Sequence, residues 1–126
     1  MKITRHTELE VFQRAFEAAM RVFELTQKFP REEMYSLTDQ IRRSSRSVAA
    51  NITEAWRKRR YEGAFVSKLS DADTEAAETQ TWLQFAFRCG YLKQTDLQAM
   101  EEEYEIILRM LVAMMANAGK WTLSRE

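Results

Sequence analysis

Apolar residues recur along most of this chain three and four positions apart, the spacing of a helix face. Leu9, Phe12, Phe16, Met20 and Phe23 form one such seam, and Val11, Ala15, Ala18, Val22, Leu25 and Phe29 form a second beside it. Thr7 followed by Glu10 reads as a capping box, and Pro30 forces its predecessor out of the α region. The pattern predicts a first helix over about residues 7–29. Two adjacent seams make an apolar face broader than one partner helix needs.

The second helix is predicted over about residues 36–58, with Ser36 and Asp39 as its N-cap signal. It resolves into three faces. Leu37, Ile41, Val48, Ile52 and Ala55 share a narrow apolar arc, and Arg42, Arg43, Arg46, Arg57 and Arg60 lie opposite. Between them runs a small-polar row: Gln40, Ser44, Ser47, Asn51, Glu54 and Lys58. Continued further, the helix would rotate Arg59 onto the core face, which a lone arginine avoids. A break near residues 57–60 is therefore expected.

A third helix over about residues 62–89 keeps strict core spacing in Phe65, Leu69, Ala72, Ala76, Thr79, Leu83 and Ala86. Gly90 is its natural terminator. Thr95 with Gln98, or Gln94 in competition, opens a fourth helix over about residues 95–119. Its heptad is Leu97, Met100, Tyr104, Ile107, Leu111, Met114, Ala118 and Trp121, with Leu108, Val112 and Met115 as a second stripe. Ser124–Glu126 reads as a frayed tail. Four helices with short connectors predict an all-α, antiparallel up-down-up-down bundle in one domain, residues 1–126. The surplus stripes on the first and fourth helices predict self-association into a homo-oligomer, since a monomer would leave them wet.

Composition agrees with this picture. Three Gly and one Pro in 126 residues leave few turns, and 45% hydrophobic with 30% charged residues describes a soluble chain. Nineteen basic residues balance nineteen acidic ones, which argues against a generic polyanion binder. The balance is local, however. Residues 1–68 carry net +5 and residues 69–126 net −5, and the stretch 41–60 alone carries net +6. The single Cys89 excludes an internal disulfide. No secretory signal and no membrane-length apolar run is present, the longest greasy stretch being broken by Arg109. The expected compartment is the cytoplasm.

Catalytic chemistry finds little to work with. A di-iron bundle needs Glu-x-x-His pairs, and the one histidine, His6, precedes the first helix. Ser44, Ser45, Ser47 and Cys89 have no histidine base, and no Gly-rich phosphate loop exists. No metal, no cofactor and no enzymatic activity are expected. Gln40, Ser47, Asn51 and Glu54 are candidates for a structural polar network that fixes helix register, as single buried Asn residues do. The basic residues Arg42, Arg43, Arg46, Arg57, Lys58, Arg59 and Arg60 have two explanations. They bind phosphates, with Trp56 and Tyr61 near enough to stack on bases, or they pair internally with Asp71, Asp73, Glu75 and Glu78 of the third helix.

Three strings carry a family resemblance: ELEVFQRAFE, then ELTQKFPREEMYSLTDQIRRSSRSVAANITEA, then EAAETQTWLQFAFRCGYL. Their most specific parts are Tyr35–Leu37–Thr38–Gln40–Ile41–Arg42–Arg43, then Ser47–Val48 with Asn51–Ile52 and Glu54, then Glu78–Thr79–Gln80 leading to Gly90–Tyr91–Leu92. Over roughly residues 7–120 the chain resembles the four-helix-bundle proteins of intervening sequences in bacterial large-subunit ribosomal RNA genes. The resemblance implies a cyclic homo-oligomer, a pentameric ring of bundles. It also implies kinship with the accessory protein of diversity-generating retroelements, which partners a reverse transcriptase and binds nucleic acid. The chain departs from the family pattern at Ala49, where Pro is usual, and at Ala55, where Gly is usual. Both favour an unbroken helix.

The expected function is that of a non-enzymatic, oligomeric accessory protein that binds RNA or DNA through the basic face of its second helix. The alternative is an oligomeric protein-interaction scaffold that touches no nucleic acid.

Overall fold

The computed structural model of the protein describes residues 2–123, so the Ser124–Glu126 tail lies outside the described residues. Four long helices account for most of the chain: α1 (Glu10–Thr26), α2 (Leu37–Arg57), α3 (Glu62–Arg88) and α4 (Gln94–Ala116). A single turn, α5 (Ala118–Trp121), follows, and no strand occurs among the described residues. Each helix packs on its neighbours in the cyclic order α1–α2–α3–α4, and among the described residues no Cα atoms come within 8 Å across either diagonal.

Cross-helix contacts run in opposite residue order on every seam, which makes each neighbouring pair antiparallel. Arg42 reaches Thr26 while Arg46 reaches Phe23 between α2 and α1. Ser44 meets Thr79 and Glu54 meets Lys68 between α2 and α3. Gln80 bonds Glu105 and Gln84 bonds Glu101 between α3 and α4. Arg14 pairs with Glu103 and Arg21 with Asp96 between α1 and α4.

The core is built from one stripe per helix. All seven expected α3 positions, Phe65 to Ala86, are buried, as are Leu97, Met100, Tyr104, Ile107, Leu111 and Met114 of α4. On α1 only one of the two seams goes inside. Val11, Ala15, Ala18 and Val22 are buried, whereas Phe16 and Met20 of the other seam stay 49% and 44% exposed. Val112 of the second α4 stripe is likewise exposed. Helix α2 runs unbroken through Ala49 and Ala55, both buried.

The polar member of the α3 core string makes the main buried polar link. Thr79 Oγ1 lies 2.8 Å from Ser44 Oγ and also reaches the Glu75 carbonyl at 2.9 Å. Ser44 Oγ in turn reaches the Ile41 carbonyl at 3.3 Å, so one hydroxyl donates across the helix interface while the other donates along its own helix. Beside them the fully buried Tyr104 hydroxyl makes no hydrogen bond of good geometry. Burial pushes that phenol well above its usual titration range, ahead of the charge of Glu103, although Thr79 is near enough to pull its pKa slightly down.

Several helix ends differ from the sequence reading, each for a local reason. Glu8 Oε1 accepts the Thr4 and Arg5 N–H groups at 2.8 and 3.0 Å, winding His6–Glu8 into a 3₁₀ turn. That displaces the Thr7 capping box, and α1 begins at Glu10 after the buried Leu9. The same helix stops at Thr26, short of Phe29, which turns back to lie 5.5 Å from the Tyr91 ring. Neither Thr95 nor Gln94 caps α4, which starts at Gln94 after an extended Lys93. Helix α3 closes as expected: Gly90 adopts φ +84°, and the Tyr91 and Gly90 amides bond the Ala86 and Phe87 carbonyls, both at 2.9 Å.

Ser36 occupies the cap position of α2, but the cap atom is supplied by Glu33. The Glu33 Oε1 accepts the Ser36 hydroxyl at 2.7 Å and the Leu37 amide at 3.3 Å. Its Oε2 accepts the Tyr91 hydroxyl at 2.9 Å, tying the α1–α2 connector to the α3–α4 connector. The Ser36 and Tyr91 hydroxyls hold the Glu33 carboxyl below its ordinary pKa of 4.5, and the bond to Glu33 pushes the Tyr91 phenol up to about 12.

Two stability tests follow from these contacts. Removing an unpartnered buried hydroxyl relieves a desolvation cost, so Tyr104→Phe should leave stability unchanged or raise it by about 1 kcal/mol in urea unfolding. Thr79→Val should lower stability by about 1 kcal/mol, because it removes the cross-helix hydroxyl pair while Ser44 keeps the Ile41 carbonyl. Equal losses in both would contradict the contrast between a bonded Thr79 and an unbonded Tyr104. For Glu33 the folded state favours the charged carboxylate. Its contribution is therefore full above the ordinary carboxyl pKa and lost as pH falls through the lower folded value. The stability gap between wild type and Glu33→Gln should accordingly shrink as pH drops below about 4, and a gap independent of pH would contradict it.

Candidate nucleic-acid interface

The basic residues of α2 do not form one face. Arg42 leans toward α1, where its Nε donates to Thr26 Oγ1 at 2.8 Å and its guanidinium sits 4.8 Å from the Phe23 ring centroid. Thr26 can accept because it spends its own proton on the Val22 carbonyl at 2.8 Å. Arg46, one turn later, lies 6.0 Å from the same ring. Arg43 turns the other way, into a groove of about 570 Å³ between α2 and α3 that Glu75 and Glu78 also line.

The remaining four cations cluster where α2 ends. Arg57 closes the helix, Lys58 occupies its C-cap, and both are exposed, as is Arg60. Positive charge here complements the carbonyl end of the helix. Arg59 is half-buried. Its Nε donates to the Trp56 carbonyl at 2.8 Å, and its guanidinium lies 3.5 Å over the Trp56 ring. The helix thus ends before Arg59 would meet the core, and stacking takes the place of an ion pair. Burial first, and the charge of Arg57 second, pull the Arg59 pKa down. The Arg59 carbonyl accepts the Leu123 amide at 3.0 Å, which fastens the end of the described chain to this turn.

Among the described residues none of these seven cations makes an ion pair within 4 Å. The carboxylates expected to quench them are engaged elsewhere or stand off. Lys68 takes Glu54 at 2.9 Å and Asp71 at 3.8 Å. Glu75 shares the groove with Arg43 and Arg46, but desolvation, with Glu78 and Asp71 nearby, raises its pKa. A close cation would do the opposite. Internal pairing with α3 is therefore not made at contact distance.

The polar residues of α2 are brought together only in pieces. Asn51 Nδ2 donates to the Ser47 carbonyl and hydroxyl at 2.9 and 3.0 Å. Glu54 belongs to Lys68, and Gln40 lines the groove. The link that joins α2 to α3 is Ser44 with Thr79, which a single polar residue in an otherwise apolar core string could have signalled. Of the two aromatic residues expected near the basic cluster, Tyr61 is 60% exposed, whereas Trp56 is buried under Arg59 and cannot meet a base. On α1 a further aromatic residue, Phe23, meets arginine. Phe12 lies 5.9 Å from Phe16, and Phe23 lies under Arg42 and Arg46.

Among the described residues no group of three His, Cys, Asp or Glu side chains is placed to hold a metal ion, and no helix is long and apolar enough to cross a membrane.

Comparison with known proteins bears on this arrangement. No curated protein matches the chain. The crystal structure of a protein of unknown function from the S23 ribosomal protein family of Bacteroides thetaiotaomicron VPI-5482 is similar, at 28% identity with a TM-score of 0.77. The match covers 84% of this chain and 95% of that one. The family model described as 23S rRNA-intervening sequence protein matches residues 7–113. Together with the four-helix fold, that match shows that the chain belongs to the 23S rRNA-intervening sequence protein family.

Proposed function

We propose that this protein is a non-enzymatic nucleic-acid-binding accessory protein that works through the basic residues of α2 and the turn after it. The observation that carries this reading is the absence, among the described residues, of any ion pair on Arg42, Arg43, Arg46, Arg57, Lys58, Arg59 and Arg60. The carboxylates of the other half of the chain lie elsewhere: Glu103 pairs with Arg14, Asp96 with Arg21 and Asp71 with Lys68, and among the described residues none comes within 4 Å of these seven cations. Unneutralised cations on a rigid helix suit phosphates, where each contact releases counterions and makes binding salt-dependent.

Self-association is part of the proposal. Phe85 and Val112 are 55% and 54% exposed on α3 and α4, outside the bundle core, and support contacts between copies. A cyclic homo-oligomer, a pentamer on the family resemblance, would repeat the basic surface around a ring and multiply its field. Such a ring would present the nucleic acid to a protein partner, a reverse transcriptase in the related retroelement setting.

Fluorescence anisotropy of labelled structured RNA and duplex DNA across a salt series tests the binding. Log affinity should fall linearly with log salt. Changing Arg57, Lys58 and Arg60 to Ser should reduce the slope by about 0.7–0.9 for each phosphate no longer engaged. Arg59 is left in place because it packs on Trp56. No binding at low salt would overturn the reading and leave an interaction scaffold. Light scattering coupled to size exclusion should give a multiple of the 14.9 kDa chain mass, and a monomer would overturn the ring.

A further inference from the structure

A row of π and thioether groups lies along helix α1 and the turn before it, and its members Phe16 and Met20 stay outside the bundle core. It runs from His6, 5.0 Å from Phe12, through Phe16 at 5.9 Å from Phe12, to Met20 and then Phe23. Phe12 to Phe23 spans about 16 Å of helix. Alongside it α2 contributes Arg42 and Arg46, both over Phe23. Arg42 is preset by three features: the Nε bond to Thr26, the ring beneath it, and Nη groups that make no hydrogen bond among the described residues.

We propose that this α1–α2 face binds single-stranded nucleic acid, with unstacked bases on Phe16 and Met20 and phosphates on Arg42 and Arg46. The inference rests on the nucleic-acid reading above and deepens it by naming the strand form and the second half of the site. A duplex offers phosphates but keeps its bases stacked inside, so it can use the arginines and not the ring faces. A single strand offers both at once, and base–aromatic stacking is tolerant of sequence because every base has a π face. A second copy of this chain could also cover Phe16 and Met20. It would then desolvate Arg42 and Arg46, which among the described residues have no ion pair to offset that cost.

The test compares a labelled oligo-uridine strand with a blunt RNA duplex of the same length, using wild type, a Phe16→Ala/Met20→Ala variant and Phe16→Tyr. The single strand should bind more tightly than the duplex. The double alanine variant should lose about tenfold or more for the single strand while its duplex affinity and salt slope stay unchanged. Phe16→Tyr keeps the ring and should keep binding, which separates stacking from a folding defect. Equal affinity of the double variant for the single strand would overturn this inference and leave the basic-face reading intact. Failure of wild type to bind either ligand at low salt would overturn the basic-face reading itself. A lower assembly mass for the double variant would show Phe16 and Met20 to be a subunit contact, and would overturn the single-strand assignment.

Discussion

The close approach of α2 to α3 is the constraint from which the remaining arrangement follows. Small residues on the α3-facing side of α2 let the two backbones come together, and Ser44 with Thr79 closes the contact through a 2.8 Å hydroxyl pair with no room for water. A slip along this seam would bury a hydroxyl without its partner, which costs more than the bond itself contributes. The register so fixed rotates Arg42 onto the α1 side and Arg43 into the α3 groove, with Arg46 between them. Moving α2 by one residue would put these guanidinium groups against the core.

Burial was the part of the structure most legible in the sequence. The spacing of Phe65 to Ala86 and of Leu97 to Met114 identified the inside of α3 and α4, because the apolar period survives whatever the loops do. On α1 the periodicity found two seams and could not choose between them, since each repeats equally well. Size decided: the inward seam is rich in Ala and Val, and the outward one carries Phe16 and Met20. Helix ends were less legible because several nearby groups compete for the same few amides. Glu8 and Glu33 took roles that local motifs assigned to Thr7 and Ser36.

Charge was legible as composition and not as geometry. The helical projection grouped the α2 cations opposite the core, yet it could not show that Arg42 rests on Phe23 or Arg59 on Trp56. Both arginines settle on aromatic rings, so the cations are held in place without being neutralised. Net charge near zero therefore conceals two populations. Arg14, Arg21 and Lys68 are paired with carboxylates, whereas the cations of α2 and the turn after it are among those that pair with none of the described residues.

The hydrogen bond from the Leu123 amide to the Arg59 carbonyl holds Leu123 at the α2 terminus. Leu123 therefore lies beside Arg57, Lys58 and Arg60, at the end opposite the Glu33–Tyr91 tie. Helix α1 starts at that same end, because it runs antiparallel to α2. A fusion or purification tag on either side would sit within the field of those cations. An acidic tag would act as a tethered competitor for them, so labels and immobilisation handles belong at the far end of the bundle, on an exposed residue such as Lys93.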